Sequence, residues 1–171
     1  MVFRVLLLLP CNSGAEVGDY FRGHYWRVAA NRRRGLGVKF MLGAIDCIPV
    51  FCKGENDAVV LETEMERVRG NNVYPSMERL KDKIDELARA IANGLMRVGK
   101  DYDKIYILLN VKAYALATRL AIERLLPESV KQKIEFRYVP GNPARFTRLI
   151  VDTIDEIARL SMLARNEACL S

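Results

Sequence analysis

Two runs of this chain, VLLLLP at 5–10 and IYILLNV at 105–111, carry almost no polar side chain. A strand with one wet face alternates apolar and polar residues, because successive side chains point to opposite sides. Runs without that alternation need apolar cover on both faces. The length and the β-branched and aromatic content of the second run suit a strand rather than a helix.

The other apolar pattern has the helical period. From Ser76, a good N-cap, the residues Met77, Leu80, Ile84, Leu87, Ala88, Ile91 and Leu95 recur at spacings of three and four, with charged residues between them. A further helix is expected over 15–33, stopped by Gly35-Leu36-Gly37. Strands are expected over 38–45 and 134–139, and helices over 113–126, closed by Pro127, and over 143–165. The stretch 48–51 reads as a continuation of the second strand after Pro49. AVVLETEMERV reads as a short strand running into a helix, and GNNVYP as loop. Doubly apolar strands alternating with amphipathic helices predict a three-layer α/β domain, a mostly parallel sheet with helices on both faces. At 171 residues the whole chain, 1–171, is one such domain.

No apolar stretch approaches the ~20 residues of a membrane span. The opening run falls below the ~7–15 residues of a secretion-signal core, and Cys11 lacks small residues before it. The expectation is a cytoplasmic protein with no membrane partner.

In a parallel sheet the carboxyl ends of all strands share one edge, where ligands bind. Three strand-to-helix junctions should therefore meet: LLLLP-CNSG, YILLN-VKAY and FRYVP-GNPARF. In the first, Asn12, Ser13 and Gly14 are small enough to bring backbone N–H groups up to an anion. In the second, Asn110 must satisfy its amide, either on a ligand or by capping the next helix. Lys112 and Tyr114 follow one turn in, and Tyr114 fits the core equally well. In the third, Gly141 and Asn142 precede Pro143 as a cap. Arg145 sits in the first helical turn, where a cation opposes the helix dipole unless an anion lies near. These junctions are the expected ligand site.

The charge is concentrated. The net +6 is matched by the six cations between Asp19 and Asp46, namely Arg22, Arg27, Arg32, Arg33, Arg34 and Lys39, a segment with no acid at all. Tyr25 and Trp26 interleave with them. Cations with stackable rings suit single-stranded nucleic acid, and a merely solvated basic face is the plainer alternative. RNA or a nucleotide is the expected partner, with Trp26 as a stacking residue. A homodimer seam is a further option, because Ile150, Ile154, Ile157 and Leu160 line one stripe of the last helix.

Whether the chain is an enzyme is left open. Its one histidine, His24, excludes most triads, although Cys11 at a strand end beside cations could act as a nucleophile paired with His24. There is no Walker loop and no G-x-G-x-x-G after the first strand. The scattered Cys11, Cys47, Cys52 and Cys169 do not have zinc spacing, so neither metal nor cofactor is expected. A Cys47–Cys52 or Cys11–Cys47 disulfide remains an option in a hyperthermophile.

The order LLLPCNS, basic aromatic helix, VKFMLGAIDCIPV, NVYP, long helix and YDKIYILL resembles a domain of archaeosine synthases and their relatives, over residues 5–114. That resemblance implies a uracil-DNA-glycosylase-like α/β sheet, an archaeal-like setting and a role near tRNA or bases. Pro10, Cys11 and Asn12 match the family's proline-cysteine-serine turn, with Asn12 in place of serine. No aspartate follows the first strand, so base excision is not implied. Separately, YILLNVKAYALATRLAIERL is similar to the central strand and helix of CRISPR-associated Rossmann-fold sensors, which implies a cyclic-oligonucleotide ligand. Lys112, Ala113 and Tyr114 stand where those families have threonine and glycines.

Overall fold

The computed structural model describes residues 3–10, 24–46, 58–62 and 84–170. Five strands form one all-parallel sheet: β1 (Val5–Pro10), β2 (Met41–Asp46), β3 (Ala58–Glu62), β4 (Lys104–Leu109) and β5 (Ile134–Tyr138). Their spatial order is β3-β2-β1-β4-β5. The chain therefore builds outward in one direction from β1, then returns to start again at β4. The β1/β4 boundary is the point where the order reverses.

Both apolar runs are covered on both faces. In β1, Leu6 and Leu8 join Ile105, Ile107 and Leu109 of β4 in one core cluster, under α2 (Ile84–Val98) and α3 (Lys112–Leu120). Val5, Leu7 and Leu9 join Tyr106 and Leu108 in the other, under α1 (His24–Leu36) and α5 (Pro143–Leu170). Leu6 to Leu9 are fully buried, and burying each is worth about 1.5–3 kcal/mol. The architecture is three layers, helix–sheet–helix, as the sequence pattern requires. The crossover helices of the two halves, α1 and α3, lie on opposite faces, as right-handed crossovers require when the halves build in opposite directions from the β1/β4 boundary.

Local signals set the element ends. Gly37 adopts φ +63° after α1, and its N–H donates to Arg34 O at 3.1 Å while Val38 N donates to Arg33 O at 3.2 Å. That left-handed stop favours glycine. Gly141 (φ +70°) and Asn142 start α5, where Asn142 Oδ1 accepts from the N–H groups of Ala144 (3.0 Å) and Arg145 (3.2 Å).

Several expected boundaries move. The second strand begins at Met41 rather than Val38, because Val38 to Phe40 form the connection from α1. β4 ends at Leu109, leaving Asn110 and Val111 in the turn. The helix after β4 widens into a π-helical turn over Ala121–Leu125, closed by Leu126 N donating to Ala121 O before Pro127. A short helix, α4 (Glu128–Lys131), then leads to β5. α5 continues to Leu170, beyond the expected 165. Of the first and third helices expected, residues 15–23 and 76–83 lie outside the described residues, as do 48–51 and the presumed loop GNNVYP.

The proposed dimer stripe is interior. Ile150, Ile154 and Ile157 have no exposed area and pack under the sheet, with Leu160 partly buried beside them. A helix lying on a sheet must spend its apolar stripe there. Among the described residues no helix is long and apolar enough to cross a membrane.

Candidate functional site

β1, β4 and β5 are adjacent and co-directional, so the tips after Leu9, Leu109 and Val139 leave the same edge of the sheet. Val139 N still donates to Leu109 O at 3.1 Å, which extends the β4–β5 ladder to the rim. The first of these junctions, Cys11 with Asn12, Ser13 and Gly14, lies outside the described residues, as do Arg22, Cys47 and Cys52. The other two junctions are described, together with the start of α1.

Three elements meet at the rim through their first turns. The Asn110 side-chain N–H group (Nδ2) donates to the Tyr25 hydroxyl at 3.4 Å, joining the tip of β4 to α1. The Tyr25 ring meets Phe146 of α5 edge-on at 4.8 Å and His24 at 5.6 Å. His24 Nε2 lies 3.4 Å from Thr147 Oγ1. Tyr25 and Thr147 are thus site residues that the sequence reading did not select. The sequence marks Tyr25 only as an aromatic in the basic segment, beside Trp26, the expected stacking residue.

That choice is corrected by the helix geometry. Adjacent residues on a helix point about 100° apart, and Trp26 is the one that faces the sheet, at 4% exposure in the core beside Phe40 and Leu42. It offers no open face to a base. Tyr114 is likewise core, 4% exposed and packed with Leu109 and Ala117 on the opposite side of the sheet.

Asn110 is half-buried, and its Oδ1 is fully enclosed with no donor among the described residues. It does not cap α3. The N-cap is Val111, which makes no side-chain cap bond, and the first turn of that helix carries no acid. Lys112, the first residue of α3, is exposed. The amino end of α3 thus presents uncapped N–H groups and a lysine at the β1/β4 reversal, the arrangement that attracts anions.

At α5 the position differs from expectation. The amides of Ala144 and Arg145 are already taken by Asn142 Oδ1, and Asn142 N donates to Pro140 O at 2.9 Å. Any anion there would meet the exposed Arg145 guanidinium, not those amides. Arg145 has no acidic partner among the described residues, and no acid lies in the first turn of α5.

The basic segment does not form one surface. α1 begins at the carboxyl rim, where Tyr25 meets Asn110, and ends at the opposite, amino edge. His24, Arg27, Asn31 and Arg34 are exposed along its outer side. Arg32 is neutralised by Asp155 at 2.7 Å. Arg33 donates to Phe40 O at 2.6 Å and lies over the Phe40 ring, and Lys39 belongs to the amino edge with it. Among the described residues no three His, Cys, Asp or Glu side chains gather as metal ligands would.

Comparison with known proteins finds no matching family model and no matching curated relative.

Proposed function

We propose that this chain is a nucleotide- or nucleic-acid-binding α/β domain that takes its ligand at the carboxyl edge, over β1, β4 and β5. The observation that carries this is the pairing of two unsatisfied groups at the strand-order reversal. Among the described residues the amino end of α3 has no side-chain cap and no acid in its first turn, with Lys112 on it, and Asn110 Oδ1 beside it is buried without a donor. The first suits a phosphate. The second is enclosed as it stands, so a ribose or base hydroxyl or amine reaches it when the amide turns toward the rim, and a bare phosphate offers no such hydrogen. Arg145 and Arg27, on the outer side of α1 toward the rim, extend the positive potential along a path a strand could follow.

Titration with short single-stranded RNA over a range of salt concentrations tests the reading. If Arg27, Lys112 and Arg145 each meet one phosphate, log affinity falls against log salt with a slope of about −2. Lys112→Ala or Arg145→Ala then makes the slope shallower by about 0.7. An affinity that is flat with salt refutes it.

A further inference from the structure

At the other end of the sheet, the amino edge, lies a cavity of about 510 Å³. This is within the ~300–1,000 Å³ typical of small-molecule sites. Its walls come from the start of β1, the connection from α1 to β2, and the turn between α2 and β4. Phe3, Phe40 and Tyr102 give it aromatic surface, while Arg4, Arg33 and Lys39 bring three cations against the single carboxylate of Asp101. Arg4 and Lys39 line it as exposed side chains, and Arg33 is half-buried. Here the Arg33 guanidinium is already fixed, by its 2.6 Å bond to Phe40 O and its position 5.6 Å from the Phe40 ring centroid. Arg4 is fixed through its backbone, whose N–H donates to Asp103 Oδ2 at 2.8 Å and whose carbonyl accepts from Asp103 N at 2.8 Å. Among the described residues neither the Arg4 guanidinium nor the Lys39 ammonium has an ion-pair partner.

We infer that this groove is a second binding site, for a small aromatic anion: a flat ring carrying a carboxylate or a phosphate. The ring lies against Phe3 and Tyr102, and the anion meets Arg4 and Lys39 with Arg33 behind them. Burial and the neighbouring Asp101 raise the pKa of the Tyr102 phenol, against the opposing effect of Arg4. The hydroxyl therefore stays a neutral donor at physiological pH, suited to an anion's oxygen.

The site is independent of the carboxyl-edge reading, and calorimetry on the whole chain separates the two. The probes are indole-3-acetate, phenyl phosphate, the neutral indole-3-acetamide and plain acetate. At least one of the two ring-bearing anions is expected to bind, with the neutral amide and acetate at least about tenfold weaker. Lys39→Ala and Arg4→Ala each weaken that binding about tenfold or more, Lys39→Arg restores it, and Lys112→Ala at the other edge leaves it unchanged. Both alanine variants alter exposed side chains, so thermal unfolding will confirm that they remain folded. The inference is overturned if neither anion binds at millimolar concentration, if the amide binds as well as the acid, or if Lys39→Ala and Arg4→Ala bind like the parent. Loss of anion binding in Lys112→Ala also overturns it, by moving the ligand to the carboxyl edge.

Discussion

Asn110→Leu should make this protein more stable and a poorer binder. The replacement keeps the branched shape of the side chain and removes an enclosed acceptor that no described group satisfies. An orphaned buried acceptor costs about 1–3 kcal/mol. Against that stands the loss of one hydrogen bond to Tyr25, long at 3.4 Å and worth no more than about 0.5 kcal/mol. Tyr25 is only half-buried, so its hydroxyl can turn to water instead. Rotating the amide by half a turn does not change the balance, since the other atom is then orphaned. The net gain is about 1 kcal/mol or more, which raises Tm by about 2–4 °C in a domain of this size. Thr118→Val is the control. The Thr118 hydroxyl is also buried without a partner among the described residues, and it lies about 9 Å further along α3 from Lys112. Both variants should unfold at higher temperature and higher denaturant, but only Asn110→Leu should weaken RNA binding. A lower Tm for Asn110→Leu would show that the amide is structural and sink the reading of it as a ligand group. Unchanged RNA affinity would remove it from the site.

Three further outcomes follow from local geometry. Asn142→Ala strips two hydrogen bonds from the start of α5 and should cost about 1 kcal/mol, seen as a lower Tm. Gly37→Ala meets no atom within 4 Å, so its whole cost is the φ of +63°, about 1 kcal/mol in chemical denaturation. The Tyr106 phenol is pushed up to about 12, chiefly by burial, then by Glu156 and Glu135, with Arg137 opposing. Above pH ~10 an unfolded tyrosine has lost the proton that the folded one keeps. Stability should therefore be level below pH 10 and fall as pH rises through about 12. Tyr106→Phe should shrink that alkaline loss, leaving the smaller share from Tyr102, as read by unfolding at a series of pH values.

The layers were legible because burial leaves a periodic trace. VLLLLP and IYILLNV lack alternation since both their faces meet helices, and the stripe on α2 has the helical period since only one face does. The cap at Asn142 and the stop at Gly37 were legible because a left-handed or capping position restricts residue type. What the sequence did not resolve was the choice between neighbours. Tyr25 and Trp26 have the same composition signal, and only the rotation of α1 against β1 decides that one reaches Asn110 while the other is buried. The partner of Arg32 is Asp155, over a hundred residues away, so no local pattern marks it as neutralised. Tyr114 and the stripe from Ile150 to Ile157 carried equally good surface and core readings until the sheet beneath them was placed.

The same rotation and length divide the basic segment between two ends of the molecule. α1 has thirteen residues, about 20 Å of helix. It starts where Tyr25 touches the β4 tip and finishes where Arg33 holds the Phe40 carbonyl at the amino edge. At physiological salt the Debye length is about 8 Å, so charges at the two ends act separately. A net charge of +6 would suggest one broad nucleic-acid face, and neutralising any of its cations would then weaken RNA alike. The fold instead puts Arg27 on the outer side of α1 toward the rim, and Lys39 in the groove at the far edge. Arg27→Ala should therefore flatten the salt dependence of RNA binding, while Lys39→Ala should leave that dependence intact and act only on the aromatic anion. If the two substitutions affect RNA equally, the cations form a single surface after all, and the separation of the two sites fails.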